Sequence, residues 1–144
     1  KQEEMIFRQA FNKDIPAMHK VRISVAENKL SNPNKITPEM YLNYLNEIGR
    51  GWVCEIDYEI VGFSIACLQD SSIWALFVKP AYEKQGIGKK LLKMATDWLF
   101  ENRVKEIFLT TGTKTRADEF YQRQGWKKGK FLDNGEIEYR LEKL

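Results

Sequence analysis

The feature that most constrains the fold is a change of hydrophobic period between residues 72 and 103. "SIWALFVKP", Ser72 to Pro80, has the length and apolar composition of a strand. "GIGKKLLKMATDWLFENR", Gly86 to Arg103, then repeats apolar residues at helical spacing. Its apolar stripe consists of Ile87, Leu91, Ala95 and Trp98, widened by Leu92 and Leu99. The sequence therefore predicts a strand, a glycine turn and a long helix in direct succession.

The segments around this unit predict a mixed α/β fold, a sheet with helices on its faces. Helix starts are indicated by cap residues, with Thr37 as the cap of the second helix. Chain breaks are indicated by the loop Lys29–Pro38 and by "GRG" at Gly49–Gly51, which we expect to end that helix. The other predicted elements are a strand at Met5–Ala10, helices to about Asn28 and from Glu39 to about Ile48, a hairpin at Trp52–Asp70, a strand at Lys105–Thr111, a short helix ending at Gly125, and two closing strands joined at Asp133–Gly135.

Composition limits the classes of protein to which the chain can belong. Its 144 residues, 43% hydrophobic and 30% charged, are ordinary for one soluble domain, which we expect to cover 1–144. The net charge of +3 does not demand a nucleic-acid partner. No apolar run approaches the roughly 20 residues that cross a bilayer, and the first residues lack the apolar core of a secretion signal. We expect no membrane or nucleic-acid partner.

The two cysteines predict reduced thiols. A hairpin turn at Asp57–Glu59 sets Cys54 opposite a residue near 62, so Cys67 lies about five rungs farther along the strand. That separation is too large for a disulfide. Buried, unpaired cysteines are consistent with a cytoplasmic location. Their spacing, with a single histidine in the chain, matches no metal site.

The turn "YEKQGIGKK" before the long helix predicts an anion site. The N–H groups of a first helical turn are free, and the helix dipole favours negative charge. Gly86 and Gly88 let a phosphate approach the backbone, and Lys84, Lys89 and Lys90 add positive charge. Pyrophosphate is the natural ligand. The alternative is a tight turn into a core helix with solvated lysines. The pattern is neither a P-loop nor G-x-G-x-x-G, which fails at Leu91.

"LFVKPAYEKQGIGKKLL" together with "ADEFYQRQGW" resembles the GNAT N-acetyltransferase superfamily. Its signature is R/Q-x-x-G-x-G/A between a strand and a helix, followed by A-x-x-F-Y-x-x-x-G-F/W. The resemblance covers about Met5 to Leu144, since the order of elements also fits. It implies a mostly antiparallel central sheet of about seven strands with about four helices. It also implies transfer of an acetyl group from acetyl-CoA to a primary amine of a small molecule or peptide, and a homodimer, which many relatives form.

The resemblance assigns roles to individual residues of the acetyl-CoA site. The turn Glu83–Gly88 would hold the CoA pyrophosphate through backbone N–H groups, and Tyr121 would protonate the departing thiolate. Glu83 stands where the family has Arg or Gln, and a carboxylate there repels a pyrophosphate unless it points away. Lys114 stands where many members have Asn. The residues implied to bind the cofactor are Leu76, Phe77 and Val78 along the pantetheine arm, and Lys84, Gln85, Gly86, Ile87, Gly88 and Lys89 at the pyrophosphate.

The acceptor side is marked by no motif. The candidate bases are Glu27 and Glu55, and a base acting through water, or no base, is equally open. The resemblance implies that the first two helices and their loop vary with the acceptor. The candidate substrate contacts are Arg22, Glu27, Asn28 and Trp74, for the last of which core packing is the alternative.

Two other classes of function stay open from the sequence. The first is a non-catalytic module that binds CoA or acetyl-CoA and regulates a partner, which Glu83 makes more credible. The second is a small basic nucleic-acid binder that uses "KKGK" at Lys127–Lys130. The low net charge argues against it, and such a protein would show strongly salt-dependent affinity for DNA or RNA.

Overall fold

The computed structural model describes residues 4–25, 36–112 and 116–144. The strands are β1 Met5–Gln9, β2 Gly49–Ile56, β3 Glu59–Cys67, β4 Ser72–Val78, β5 Glu106–Gly112, β6 Lys127–Phe131 and β7 Glu136–Glu142. The helices are α1 Ile15–Ser24, α2 Pro38–Asn46, α3 Ile87–Glu101 and α4 Arg116–Arg123. The strands form one seven-stranded sheet in the order β1-β2-β3-β4-β5-β7-β6. Every neighbouring pair is antiparallel except β4 and β5, so the predicted mixed, mostly antiparallel sheet is confirmed.

Helices cover both faces of the sheet. Residues of α1 and α2 pack with Phe63 and Ile65 in one apolar cluster, whereas α3 and α4 pack with Val61 and Ala66 in the other. Because β3 lies between the two layers, its residues from Ile60 to Cys67 are all buried. Burial on both faces explains why this strand reads as a continuous apolar run without alternation.

Two predicted boundaries were wrong. Helix α1 ends at Ser24, short of the predicted Asn28, because Val25 is extended at φ −85° and ψ 110° and the Ser24 hydroxyl donates to the Val21 carbonyl. The "GRG" segment belongs to β2, and close approach of the backbone requires glycine at position 49. A Cβ on Gly49 would overlap the Ala66 carbonyl oxygen, and one on Gly51 would lie 2.5 Å from a Leu45 methyl group.

The hairpin of β2 and β3 sets Cys54 opposite Gly62 as predicted, but Glu59 belongs to β3 rather than to the turn, and a β-bulge between Cys54 and Glu55 restores the pairing. Its turn places Asp57 and Tyr58 at positive φ, 51° and 69°. Cys54 lies opposite Gly62, and Cys67 lies opposite Gly49 at the far end of the ladder. Both cysteines are buried and free, so the prediction of unpaired thiols is confirmed.

The two thiols are expected to be unreactive in the folded protein. Burial raises the pKa of Cys54 to about 11, and burial also raises the pKa of Cys67. Since the thiolate is the nucleophile, Ellman's reagent at about pH 8 should modify neither cysteine until denaturant is added, and then both. Stoichiometric reaction within seconds in native buffer would contradict this prediction.

None of the helices among the described residues is long and apolar enough to cross a bilayer.

Candidate active site

A cleft opens where β4 and β5 part. The two strands pair only at Ser72 and Phe108, next to a hydrogen bond in which the Phe108 N–H donates to the Ser71 carbonyl at 2.9 Å. No other pair joins them in the part of the chain that the structure describes, although β4 stays paired with β3 as far as Val78. The β5-facing edge of β4 therefore offers unpaired backbone groups toward its carboxyl end. Leu76, Phe77 and Val78, predicted to bind the pantetheine arm, lie on this stretch and are half-buried.

A cavity of about 240 Å³ lies where the cleft begins. It is lined by Ser72, Ile73, Trp74, Phe108, Leu109 and Thr110. A larger cavity of about 330 Å³ is lined by Glu47, Ile48, Gly49, Leu68, Gln69 and Trp98. Because the larger cavity contains none of the predicted site residues, the smaller one is the relevant space.

A β-bulge in β4 shapes this part of the cleft. Ile65 of β3 pairs with Ala75 while the next residue, Ala66, pairs with Ile73, which leaves Trp74 as the extra residue. The Trp74 side chain packs on the cluster of α1 and α2, whereas Leu76 packs on the cluster of α3. A bulge removes one residue from the ladder, so it exposes backbone groups at the centre of the sheet.

The glycine turn presents a row of free amides. After a 3-10 turn at Pro80–Tyr82, Lys84 and Gly86 adopt left-handed conformations with φ of 65° and 82°. None of the backbone N–H groups of residues 84–89 donates a hydrogen bond to a described residue, and the first such bond runs from the Lys90 N–H to the Gly86 carbonyl at 3.1 Å. Consecutive free amides at the start of a 15-residue helix are an arrangement that favours anion binding.

The glycines of the turn differ in what surrounds them. A Cβ on Gly86 would meet nothing within 4 Å and would project into open space. A Cβ on Gly88 would make ordinary contacts with Val78 and Phe120, at 3.7 and 3.8 Å. The left-handed φ of 82° is the reason for glycine at 86, where the surrounding space is open, whereas position 88 faces protein.

The carboxylate of Glu83 is paired. Its Oε1 lies 3.1 Å from Nη1 of Arg116, the first residue of α4. A guanidinium from the neighbouring helix thus compensates the acid that stands where the family has Arg or Gln. The Nζ of Lys90 lies 4.8 Å from the centre of the Phe7 ring on β1. Its positive charge therefore contributes less to the glycine turn than its position in the sequence predicted.

Tyr121 lies in an aromatic cluster under α4. Its ring centre is 5.2 Å from that of Phe120, 5.8 Å from Trp126 and 5.9 Å from Tyr139. The Tyr139 hydroxyl donates to the Asp118 carbonyl at 3.1 Å, which ties α4 to β7. Burial raises the pKa of Tyr121 well above its ordinary value. The hydroxyl is therefore protonated throughout the physiological range, as a proton donor must be.

Two of the predicted substrate contacts meet on the other face of β4. Cζ of Arg22 lies 4.8 Å from the ring centres of both Trp74 and Phe77. Two tyrosines of α2 that were not among the predicted substrate contacts complete this cluster. Tyr41 lies 5.8 Å from Arg22 Cζ, and Tyr44 stacks on Trp74 at 3.9 Å. Their spacing of three places them on one helical face, but nothing in the sequence indicates what that face meets.

Neither candidate base is observed at the cleft: Glu55 lies elsewhere, and Glu27 is not among the described residues. Glu55 accepts a hydrogen bond from Nη2 of Arg8 at 2.8 Å, and it lies on β2, two strands away from β4. Arg8 also binds the buried Asp14, so Glu55 belongs to an ion-pair network between β1, β2 and the start of α1. The structure does not support Glu55 as a base. Glu27 and Asn28 lie outside the described residues, as does Lys114.

The family model for the acetyltransferase (GNAT) family matches residues 18–126 of this chain. The match spans β4, the glycine turn, α3 and α4, which together build the cleft and its amides. The chain belongs to the GNAT acetyltransferase family, and the resemblance given by the two sequence motifs is confirmed.

Two individual proteins to which the chain is similar in sequence are also N-acetyltransferases. The chain is 31% identical over 96 residues to human N-acetyltransferase 8, a match covering 60% of this chain and 42% of that protein. It is 37% identical over 83 residues to an uncharacterised N-acetyltransferase of Archaeoglobus fulgidus, covering 50% of this chain and 56% of that protein. The chain thus spans about half the length of these relatives.

Solved structures share the fold over nearly the whole chain. PaiA N-acetyltransferase from Thermoplasma acidophilum, in complex with coenzyme A, superimposes with a TM-score of 0.82 at 19% identity, covering 97% of this chain and 99% of that one. The ribosomal-protein-S18-alanine N-acetyltransferase of Escherichia coli gives a TM-score of 0.78 at 16% identity, covering 96% of this chain and 94% of that one. The architecture is the GNAT fold.

Proposed function

We propose that this chain transfers the acetyl group of acetyl-CoA to a primary amine of a small molecule or peptide. The observation that carries the proposal is the run of free backbone N–H groups at residues 84–89 beside the β4–β5 cleft. Membership of the GNAT family and a solved relative's complex with coenzyme A support acetyl-CoA as the donor.

The residues of the turn and of β4 bind the donor. The amides of residues 84–89 donate to the pyrophosphate oxygens, and the side chains of Lys84 and Lys89 add positive charge. The open edge of β4 at residues 76–78 pairs with the pantetheine amides as a neighbouring strand would. Together these contacts direct the thioester toward the cavity beside Trp74.

The reaction joins the amine nitrogen to the thioester carbonyl carbon. Attack by the neutral amine gives a tetrahedral oxyanion, which backbone N–H groups at the bulge of β4 stabilise. Collapse of this intermediate breaks the carbon–sulfur bond, and Tyr121 donates its proton to the sulfur. The amine loses its own proton to Glu27, to water or to solvent buffer.

A thiol-release assay with a panel of primary amines, combined with calorimetric titration of acetyl-CoA, tests the proposal. We expect acetyl-CoA to bind and at least one amine to be acetylated faster than the thioester hydrolyses. Binding of acetyl-CoA without turnover on any amine would favour the non-catalytic CoA-binding module. If acetyl-CoA does not bind at all, both the acetyl transfer and the CoA-binding module are wrong.

Three further features belong to the proposal. Residues 1–144 form one acetyltransferase domain, supported by the single sheet that β1 to β7 build. The protein is cytoplasmic, supported by its two unpaired, buried cysteines. It pairs as a homodimer, which light scattering of the purified protein tests.

A further inference from the structure

The guanidinium of Arg22 has no anionic partner within the part of the chain that the structure describes. No carboxylate among residues 4–25, 36–112 and 116–144 lies within ion-pair distance of it, and its Nε is buried with no acceptor. The other partly buried arginine near α1, Arg8, binds both Asp14 and Glu55. Among the described residues, two carboxylates bind Arg8 and none binds Arg22.

Arg22 is partly buried, and withdrawing a charge from water without a compensating partner is unfavourable. The rings of Trp74, Phe77 and Tyr41 offset part of that cost through cation–π contacts. Stacking occupies the faces of a guanidinium but leaves its N–H edge able to bind a carboxylate with two hydrogen bonds.

The described rings around Arg22 carry no charge of their own, and the carboxylate of Asp70 acts on Tyr44 at the edge of the cluster. His19 is adjacent, with Nδ1 3.1 Å from the Tyr41 hydroxyl, and burial followed by the charge of Arg22 lowers its pKa. Burial raises the pKa of both Tyr41 and Tyr44, so both are neutral. The cluster therefore carries a single positive charge, which attracts anions and repels a second cation.

Arg22 lies beside the cleft, because it contacts two residues of β4. Trp74 is the bulged residue of β4 and lines the cavity where β4 and β5 part. Phe77 lies in the stretch of β4 that borders the open edge. A group bound at Arg22 is therefore beside the cavity on the face of the sheet covered by α1 and α2.

We propose that Arg22 binds a carboxylate of the acceptor, so that the acceptors are amines that also carry a carboxylate, as amino acids and short peptides do. This inference rests on the proposed acetyl transfer. It names the substrate class of that site and predicts that diamines are poor acceptors.

Matched acceptors test the inference. Each set contains an ω-amino acid, its carboxamide and the diamine of the same chain length, and a second series contains α-amino acids and their carboxamides. For the wild-type protein we expect kcat/KM for the best acid to exceed that for its carboxamide by about tenfold or more, with the diamine lowest. In Arg22→Gln, kcat/KM for the acid should fall to the value for its carboxamide.

Arg50→Gln is the matched control, because Arg50 also stacks on a tryptophan, with Cζ 5.3 Å from the Trp98 ring centre, but lies on β2. It should keep the preference for acids. Equal rates for acids and carboxamides in the wild type would overturn the inference. A loss in Arg22→Gln that is the same for acids and carboxamides would also overturn it, since Arg22 would then act on the thioester or on folding.

Binding separates this inference from the proposed function. Calorimetry of the acids against the protein saturated with CoA should give about tenfold tighter binding than for the carboxamides, and Arg22→Gln should abolish the difference. If acids bind preferentially but no amine is acetylated, the acetyl transfer is wrong and the carboxylate site stands. If acids bind no better than carboxamides, the carboxylate site is wrong whatever the turnover.

Discussion

Tyr121→Phe is expected to lower kcat by about 100-fold or more while changing the affinity for acetyl-CoA by less than about twofold. The substitution removes only the hydroxyl oxygen, and the ring keeps its contacts with Phe120, Trp126 and Tyr139. If that hydroxyl protonates the leaving sulfur, its loss affects the bond-breaking step and leaves the contacts with the pyrophosphate intact. Steady-state kinetics and calorimetric titration of acetyl-CoA measure the two quantities separately.

The pH profile provides a second readout of this role. A general acid is lost as the pH rises through its pKa, and burial raises the pKa of Tyr121 above the ordinary tyrosine value of about 10. We therefore expect kcat to rise with pH as the acceptor amine is deprotonated, and to show no decline below about pH 10. A decline in the wild type near pH 8 that persists in Tyr121→Phe would belong to another group, whereas one that is absent from Tyr121→Phe would contradict the raised pKa of Tyr121.

Tyr139→Phe is the control for packing. Tyr139 is fully buried in the same cluster, and its hydroxyl donates to the Asp118 carbonyl. Losing that bond should cost about 1 kcal/mol of stability and change kcat by less than about threefold. If both variants lose activity equally, the effect of Tyr121→Phe is one of packing and the tyrosine is not the acid.

The order of elements could be predicted because local patterns determine it. The change from strand to helix period at Gly86 and the cap at Thr37 depend on neighbouring residues alone. The two-residue turn pairs Ile56 with Glu59, and a β-bulge between Cys54 and Glu55, which local patterns do not reveal, then sets Cys54 opposite Gly62. The end of α1 was predicted from local spacing alone, and the predicted helix extended past Val25, where the observed backbone is no longer helical.

The parts of the candidate site that escaped prediction depend on contacts between distant segments. The bulge at Trp74 exists only relative to the pairing partner β3, so the β4 sequence alone does not reveal it. The pairing of Glu83 with Arg116 requires α4 to lie beside the glycine turn. The aromatic cluster around Arg22 requires α1, α2 and β4 to meet, and a single amphipathic pattern identifies no partner.

Gly86→Ala is expected to weaken acetyl-CoA binding by about tenfold or more. Gly86 has φ +82° immediately before α3, and a Cβ there would project into the open space beside the free amides. The methyl group would meet an approaching phosphate, and the left-handed conformation would become unfavourable by about 1–2 kcal/mol. Both effects disturb the same row of N–H donors.

Gly135→Ala separates binding from strain, because Gly135 has φ +86°, has equally open space around its Cβ position and lies in the hairpin between β6 and β7. The two variants should lose about the same stability in thermal melts, about 1–2 kcal/mol. Only Gly86→Ala should lose affinity in calorimetric titration with acetyl-CoA. If both variants bind acetyl-CoA like the wild type, the amides of residues 84–89 do not hold the pyrophosphate, because a diphosphate gripped by that backbone has no room for the added methyl group.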